Sequence, residues 1–394
     1  MQLENFSLNT WVAGNSDAQP LTSAVDGRTI ATLSSSGLDF AAMLDFARRV
    51  GGPNLRRHTF HERAAMLKAL AKYLGEHKKE FYALSTDTGA TRGDSWIDID
   101  GGISTLFVYS SKGRREMPDD HVYLDGPPEI LSKNGTFAGQ HIFTPRLGAA
   151  IHINAFNFPC WGMLEKLAPT FLAGVPAIVK PASATAYLTE LMVRRIVESG
   201  ILPQGSLQLI CGSVGDLFDH LGSQDVIAFT GSKATAEKLQ THPRVIAESV
   251  RFTAETDSLN ASILGPDVLP GTPEFELFIN EVKREMISKA GQKCTAIRRI
   301  IASADVSAEL VETLARELGK IRIGNPANEN TDMGALASLG QRDEVRSRIE
   351  DLSADAEVVY GNRDDFPLID ADARKGAFFM PTLLLCERPL TSTA

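Results

Sequence analysis

Five short stretches in the middle and later part of the chain carry residues with chemistry available to them. Cys294 lies in "KAGQKCTA", behind a flexible Gly-Gln-Lys lead and ahead of a stretch that soon turns hydrophobic. A free cysteine is usually a buried small hydrophobe, and small, polar surroundings raise the alternative of a thiolate nucleophile. Asn157, in "NAFNFP", follows a predicted strand. Its side-chain amide can donate to a developing oxyanion or stabilise a turn. Lys180, in "IVKPAS", ends a predicted strand, where parallel sheets bind nucleotides; a solvated strand-end lysine is the plain alternative. "FTGSKATAEKL" passes from strand through Gly231 and Ser232 into a helix. That helix N-terminus suits a phosphate, and a capping serine is equally ordinary in any such turn. Glu255, in "FTAETDSLN", ends another predicted strand, either as a general base or as a solvated carboxylate. The strict glycine-rich dinucleotide fingerprint is missing, and "CGSVGD" only gestures at it.

These residues need elements to hold them. "TFHERAAMLKALAKYLGEHKK" reads as an amphipathic helix from about Phe60, with Ala64, Leu67, Leu70 and Leu74 on one face. The short apolar runs in "GAAIHINAF", "PAIVK", "SLQLICG" and "DVIAFTGS" are of the kind buried in parallel sheets. Helical stretches separate them, so residues from about 148 to 256 alternate strand and helix, the pattern of a doubly wound, Rossmann-like α/β fold. A long helix then leads to Cys294 and to another strand, which predicts a second α/β unit. "FFMPTLLLCERPLTSTA" stops just after a predicted strand, with no closing element.

Composition bounds the rest. With 394 residues, 43% hydrophobic and 23% charged, the chain can bury more than one core. A net charge of -9 argues against nucleic acid or an anionic membrane as partner. The start lacks the basic region and apolar core of a signal peptide. The longest apolar stretch, Leu167 to Val179, is interrupted by Pro169, Gly174 and Pro176 and is too short to span a bilayer. Cys160, Cys211, Cys294 and Cys386 show no paired spacing, so neither a disulfide framework nor a metal site is expected. A reducing, cytoplasmic setting fits.

Taken in order, Asn157, Lys180, "FTGS", Glu255 and Cys294 resemble the aldehyde dehydrogenase superfamily over essentially the whole chain. "PRLGAAIHINAFNFP", "GNPANENTDMGAL" and "GAFFMPTLL" resemble further landmarks of that family. Most members carry Glu-Leu-Gly-Gly around the base, whereas this chain has "ETDSLN". With "TGATRGDSWIDIDGG" and "EVKREMISKAGQKCTAIRRI", that departure resembles the branch oxidising CoA-linked semialdehydes in aromatic degradation. Cys160 and Met163 in "FPCWGMLEKLAP" lean toward its phenylacetate representative, the dehydrogenase half of a bifunctional enzyme, and the benzoate representative is the alternative.

The resemblance implies a Rossmann-like cofactor-binding domain over 1–126 and 148–256, an oligomerisation hairpin over 127–147, and a catalytic domain over 257–394, incomplete at its C-terminal end. Family members continue to a Glu-Phe-Gly-Pro motif that holds the nicotinamide ribose; the phenylacetate representative adds a hydratase domain. The implied catalytic residues are Cys294, Glu255 and Asn157. The implied cofactor positions are Ile153, Ala155, Phe156, Lys180, Ser183, Phe229, Thr230, Gly231 and Ser232. Ser183 stands where NAD-preferring relatives commonly carry a glutamate, so NADP is the expected cofactor, with NAD possible; a helix-capping role is the alternative. The expected partners are a CoA-linked aldehyde and further copies of the chain, as dimer or larger assembly, with no nucleic acid, membrane or metal. Two competing readings are a CoA-acylating dehydrogenase, which generally lacks the base that Glu255 supplies, and an inactive scaffold retaining the fold.

Overall fold

The computed structural model describes residues 1–388, and the last six positions of the expected 257–394 domain lie outside the described residues. The chain forms two compact units. The first comprises Met1–Pro20, Ala31–Phe81 and Ile97–Thr256; the second comprises Leu21–Ile30, Tyr82–Trp96 and the chain from Asp257 onward.

A seven-stranded sheet organises the first unit. Its strands are β1 (Glu4–Ser7), β2 (Thr10–Ala13), β3 (Ala150–Ile153), β4 (Ala177–Lys180), β5 (Leu207–Leu209), β6 (Val226–Thr230) and β7 (Arg251–Glu255). Their order is β7-β6-β3-β4-β5-β1-β2. The five strands from β7 to β5 are parallel, and β1 and β2 extend that sheet antiparallel. All four residues of β3 are buried, as a strand covered on both faces requires. Strand order reverses between β3 and β6, and the crevice outside the carboxyl ends of the strands at such a reversal is where doubly wound sheets bind ligands.

Helices cover the sheet. In α1 (Phe60–Glu76), Thr59 and Glu62 form a reciprocal capping box. Its face of Ala64, Leu67, Leu70 and Leu74 is fully buried, as the spacing predicts. α1 packs with α2 (Gly102–Glu116) and α3 (Pro159–Leu172). The approach is close: a Cβ on Gly113 of α2 would lie 2.7 Å from Leu172 and 2.9 Å from Ala64. The helix α4 (Ala186–Glu198) follows β4, and α5 (Lys233–Gln240) follows β6. An antiparallel ribbon pairs Tyr123–Ile130 with Ala138–Phe143, offset by four residues at each end from 127–147 and carrying exposed Leu124, Ile130, Ile142 and Phe143.

The second unit differs from the expected boundaries, because two segments from within 1–126 belong to it. Arg28 donates to both Asp87 carboxylate oxygens at 2.7 and 2.8 Å, and Ala24 bonds backbone to backbone with Asp87 and with Ala377. The bidentate hydrogen bond to Asp87 raises the Arg28 pKa. The helix α6 (Pro273–Ile287) packs Phe275, Ile279 and Val282 into a core with Val306, Leu310 and Leu314. The strands β8 (Ala261–Ile263) and β9 (Arg299–Ile301) pair in parallel. The late strand Leu383–Leu385 is not left unpaired, for it runs antiparallel to Glu357–Tyr360. Among the described residues, no helix is long and apolar enough to cross a membrane.

Candidate active site

In the first unit the candidate residues gather at the carboxyl ends of the parallel strands. β3 ends at Ile153, and Asn154 N–H donates to the Lys180 carbonyl at 3.0 Å, holding the exits of β3 and β4 together. Asn157 is half-buried, and its Oδ1 accepts from Phe158 N–H at 3.0 Å, which fixes the turn into α3. Asp98 caps that helix from a distance: its Oδ1 accepts from Cys160 N–H at 2.9 Å and Trp161 N–H at 2.8 Å. Ala155 and Phe156 are half-buried, and the Thr185 hydroxyl donates to the Phe156 carbonyl at 3.2 Å.

Lys180 ends β4, and burial lowers its pKa. Ser183 is exposed. The N-cap of α4 is Thr185, with no side-chain capping bond, so the capping alternative for Ser183 is not realised. At the end of β6, Gly231 N–H donates to the Glu255 carbonyl at 3.1 Å, and a Cβ on Gly231 would lie 2.7 Å from the Phe229 ring. Ser232 caps α5 by accepting from Thr235 N–H. Ile153 and Phe229 are core members, and Phe229 stacks on Phe252 at 6.4 Å between centroids, so these two side chains hold the sheet together.

Glu255 is exposed at the end of β7 and accepts from the Thr230 hydroxyl at 3.4 Å. It borders an open cavity of about 420 Å³ with Thr230, Trp161, Glu165 and Lys166. Trp161 Nε1 donates to Glu165 at 2.7 Å, and Lys166 lies 3.3 Å from the other Glu165 oxygen.

In the second unit, Cys294 sits on a loop shaped by side chains rather than by a ladder. Lys289, Ala290 and Gly291 all adopt left-handed backbone, with φ of 50°, 50° and 73°. Lysine and alanine there carry a steric cost that the surroundings must offset. They do so through Lys289, whose N–H donates to Asp94 at 2.6 Å and whose buried ammonium donates to the Thr88 hydroxyl and carbonyl at 2.8 and 3.0 Å. Gln292 spans the turn, donating to the Lys289 carbonyl and accepting from Ala337 N–H. Asn260 donates to the carbonyls of Cys294 and Ala296 at 2.8 and 3.0 Å, and the Ser258 hydroxyl also donates to the Cys294 carbonyl. The "SLN" of "ETDSLN" therefore has a structural reason: its two polar side chains hold the cysteine loop.

The four cysteines separate by environment. Cys160 and Cys211 are fully buried, and burial pushes both thiols up. Cys160 packs inside α3 together with fully buried Met163. Cys386 is half-buried against the Asp355 carbonyl, while Cys294 is exposed. Thr88, Asp94, Ser258, Asn260 and Arg298 escaped the sequence reading; for Ser258 the signal was present in the departure from the family's glycines.

The chain as a whole has counterparts among known proteins. A model of the aldehyde dehydrogenase family matches residues 11–390. A 3,4-dehydroadipyl-CoA semialdehyde dehydrogenase from Aromatoleum evansii is 44% identical over 393 residues, spanning 100% of this chain and 76% of the relative. A sulfoacetaldehyde dehydrogenase from Neptuniibacter caesariensis is 27% identical over 84% of this chain and 67% of its own length. Among solved structures, betaine aldehyde dehydrogenase from Staphylococcus aureus in complex with NAD+ superimposes with a TM-score of 0.84 at 22% identity, covering 97% of this chain and 73% of that one. The fold, the family model and the full-length similarity agree, and the chain belongs to the aldehyde dehydrogenase family.

Proposed function

We propose that the protein oxidises a CoA-linked semialdehyde of aromatic degradation to its acid, with NADP or NAD as hydride acceptor. The observation that carries this reading is the 44% identity over the whole chain to a CoA-semialdehyde dehydrogenase. That relative favours the dehydroadipyl-type substrate. Cys160 and Met163, the residues leaning toward the phenylacetate pathway, are enclosed in the core and have no surface to offer a substrate.

The donor set suits a dinucleotide: a lysine at the end of β4, a helix N-terminus capped by Ser232, and at Gly231 a backbone that no side chain could crowd without meeting Phe229. When bound, the nicotinamide supplies the hydride acceptor that turns a thiohemiacetal into a thioester. The remaining roles belong to the chain. The Cys294 thiolate attacks the aldehyde carbon, and the Asn157 amide donates to the oxyanion. Glu255 takes a proton from the water that cleaves the thioester, releasing acid and regenerating the thiolate. Exposed Ser183, free of a carboxylate's repulsion, supports NADP over NAD.

A panel of free and CoA-linked semialdehydes, each assayed with NADP and NAD, tests the proposal. CoA-linked substrates should show the highest kcat/KM. Free aldehydes turning over as well would remove the CoA assignment, and no reduced cofactor with any aldehyde would remove the activity.

A further inference from the structure

The cysteine loop carries one cation that the mechanism above does not use. Arg298, four residues after Cys294, donates through Nη2 to the Lys293 carbonyl at 2.9 Å and through Nη1 to the Gly291 carbonyl. Its guanidinium thus closes on the backbone immediately before the cysteine, while Asn260 closes on the carbonyls of Cys294 and Ala296. Neither Arg298 contact is a carboxylate, so its charge is not neutralised by a hydrogen-bonded partner. We propose that Arg298 is a positioning residue for Cys294, clamping the loop that presents the sulfur and stabilising the thiolate by its charge. The inference rests on Cys294 being the nucleophile.

The neighbouring charges are spent differently. Lys293 pairs with Glu285 at 2.8 Å, and Arg284 lies 3.8 Å from the same carboxylate. Buried Lys289 is consumed by Thr88, with Asp94 on its backbone N–H. Arg299 donates to the Leu259 carbonyl at 2.7 Å, on the strand β9 side, and Asp257 begins the segment that carries Ser258 and Asn260. Desolvation lowers the Arg298 pKa, and the Cys294 thiolate and then Glu285 raise it. The same attraction, taken from the other partner, favours the thiolate. A guanidinium suits both tasks, since its planar fork reaches two carbonyls at once and it stays charged at every working pH.

The test is the pH dependence of Cys294 alkylation by iodoacetamide in the intact protein, followed by mass mapping, without cofactor or aldehyde. In Arg298→Gln the midpoint should rise by about one pH unit, so alkylation near neutrality slows by up to about tenfold. The plateau rate at high pH should be equal or higher, because a more basic thiolate is intrinsically more nucleophilic. Arg298→Lys should keep most of the wild-type midpoint while lowering kcat, as a point charge without the two-carbonyl fork. If Arg298→Gln does not fold, wild type decides: raising KCl from about 0.05 to about 1 M should raise the midpoint, since screening weakens an exposed cation. An unchanged midpoint in Arg298→Gln, or in wild type across that salt range, overturns the proposal. Label mapping elsewhere than Cys294, with full activity retained, would instead overturn the nucleophile assignment on which it rests.

Discussion

At the residue scale the strongest expectations concern Glu255 and Ser183. Glu255 stands exposed at the tip of β7, touched only lightly by the Thr230 hydroxyl, as a base that must meet water would stand. Glu255→Gln should slow deacylation more than acylation. Rapid mixing should show a burst of reduced cofactor, and intact mass should show a thioester on Cys294; acylation slowed to the same degree would assign Glu255 an earlier role. Ser183 forms no cap for α4, so its hydroxyl remains available for a ligand. Placing a carboxylate there should raise the KM for NADP by roughly tenfold through like-charge repulsion of about 1 kcal/mol or more and leave that for NAD nearly unchanged. Equal effects on both cofactors would show that Ser183 does not discriminate.

At the scale of elements, the packing of α1 against α3 depends on one buried charge. Arg63 is fully enclosed in α1, and its Nε donates to the Leu172 carbonyl at the end of α3 at 2.8 Å. Its Nη1 reaches the carbonyls of Leu55 and His58, and burial pulls its pKa down to about 10. Arg63→Met should cost about 2–4 kcal/mol, chiefly from carbonyls left without a donor, and lower the urea midpoint while the oligomeric state stays unchanged. A loss under about 0.5 kcal/mol would mean that water replaces the guanidinium. Helix α1 and strands β3 to β6 were legible in the sequence because their signal is local: leucines at helical spacing, and short apolar runs ending in glycine, lysine or proline. Arg63 was not legible, since its partners lie in two other helices and the turn before α1. The left-handed turn at Lys289 and Ala290 was equally hidden, because neither residue type favours that conformation. The reason it forms there is Thr88 and Asp94, about two hundred positions away in sequence.

At the scale of the molecule, the second unit is built from three separate stretches of chain. A fragment comprising 257–388 alone would lack Thr88 and Asp94 around Lys289, the Arg28–Asp87 pair, and Ala24 and Val25 from its core. It should show no cooperative urea transition by circular dichroism, and a sharp transition would contradict the division drawn from the structure. No domain boundary read along the sequence could have found this, since contiguity is what such a reading assumes. The placement of sulfur through the molecule also sets how it meets oxidants. Two thiols are buried, one is half-covered, and Cys294 alone among the four is exposed on a polar loop. Peroxide therefore reaches Cys294 first and leaves a sulfenic acid at the surface, not a polar wedge in a core. Mild oxidation should cost the protein its activity and none of its fold, and a thiol reductant should restore the activity as long as exposure stops before the sulfinic stage.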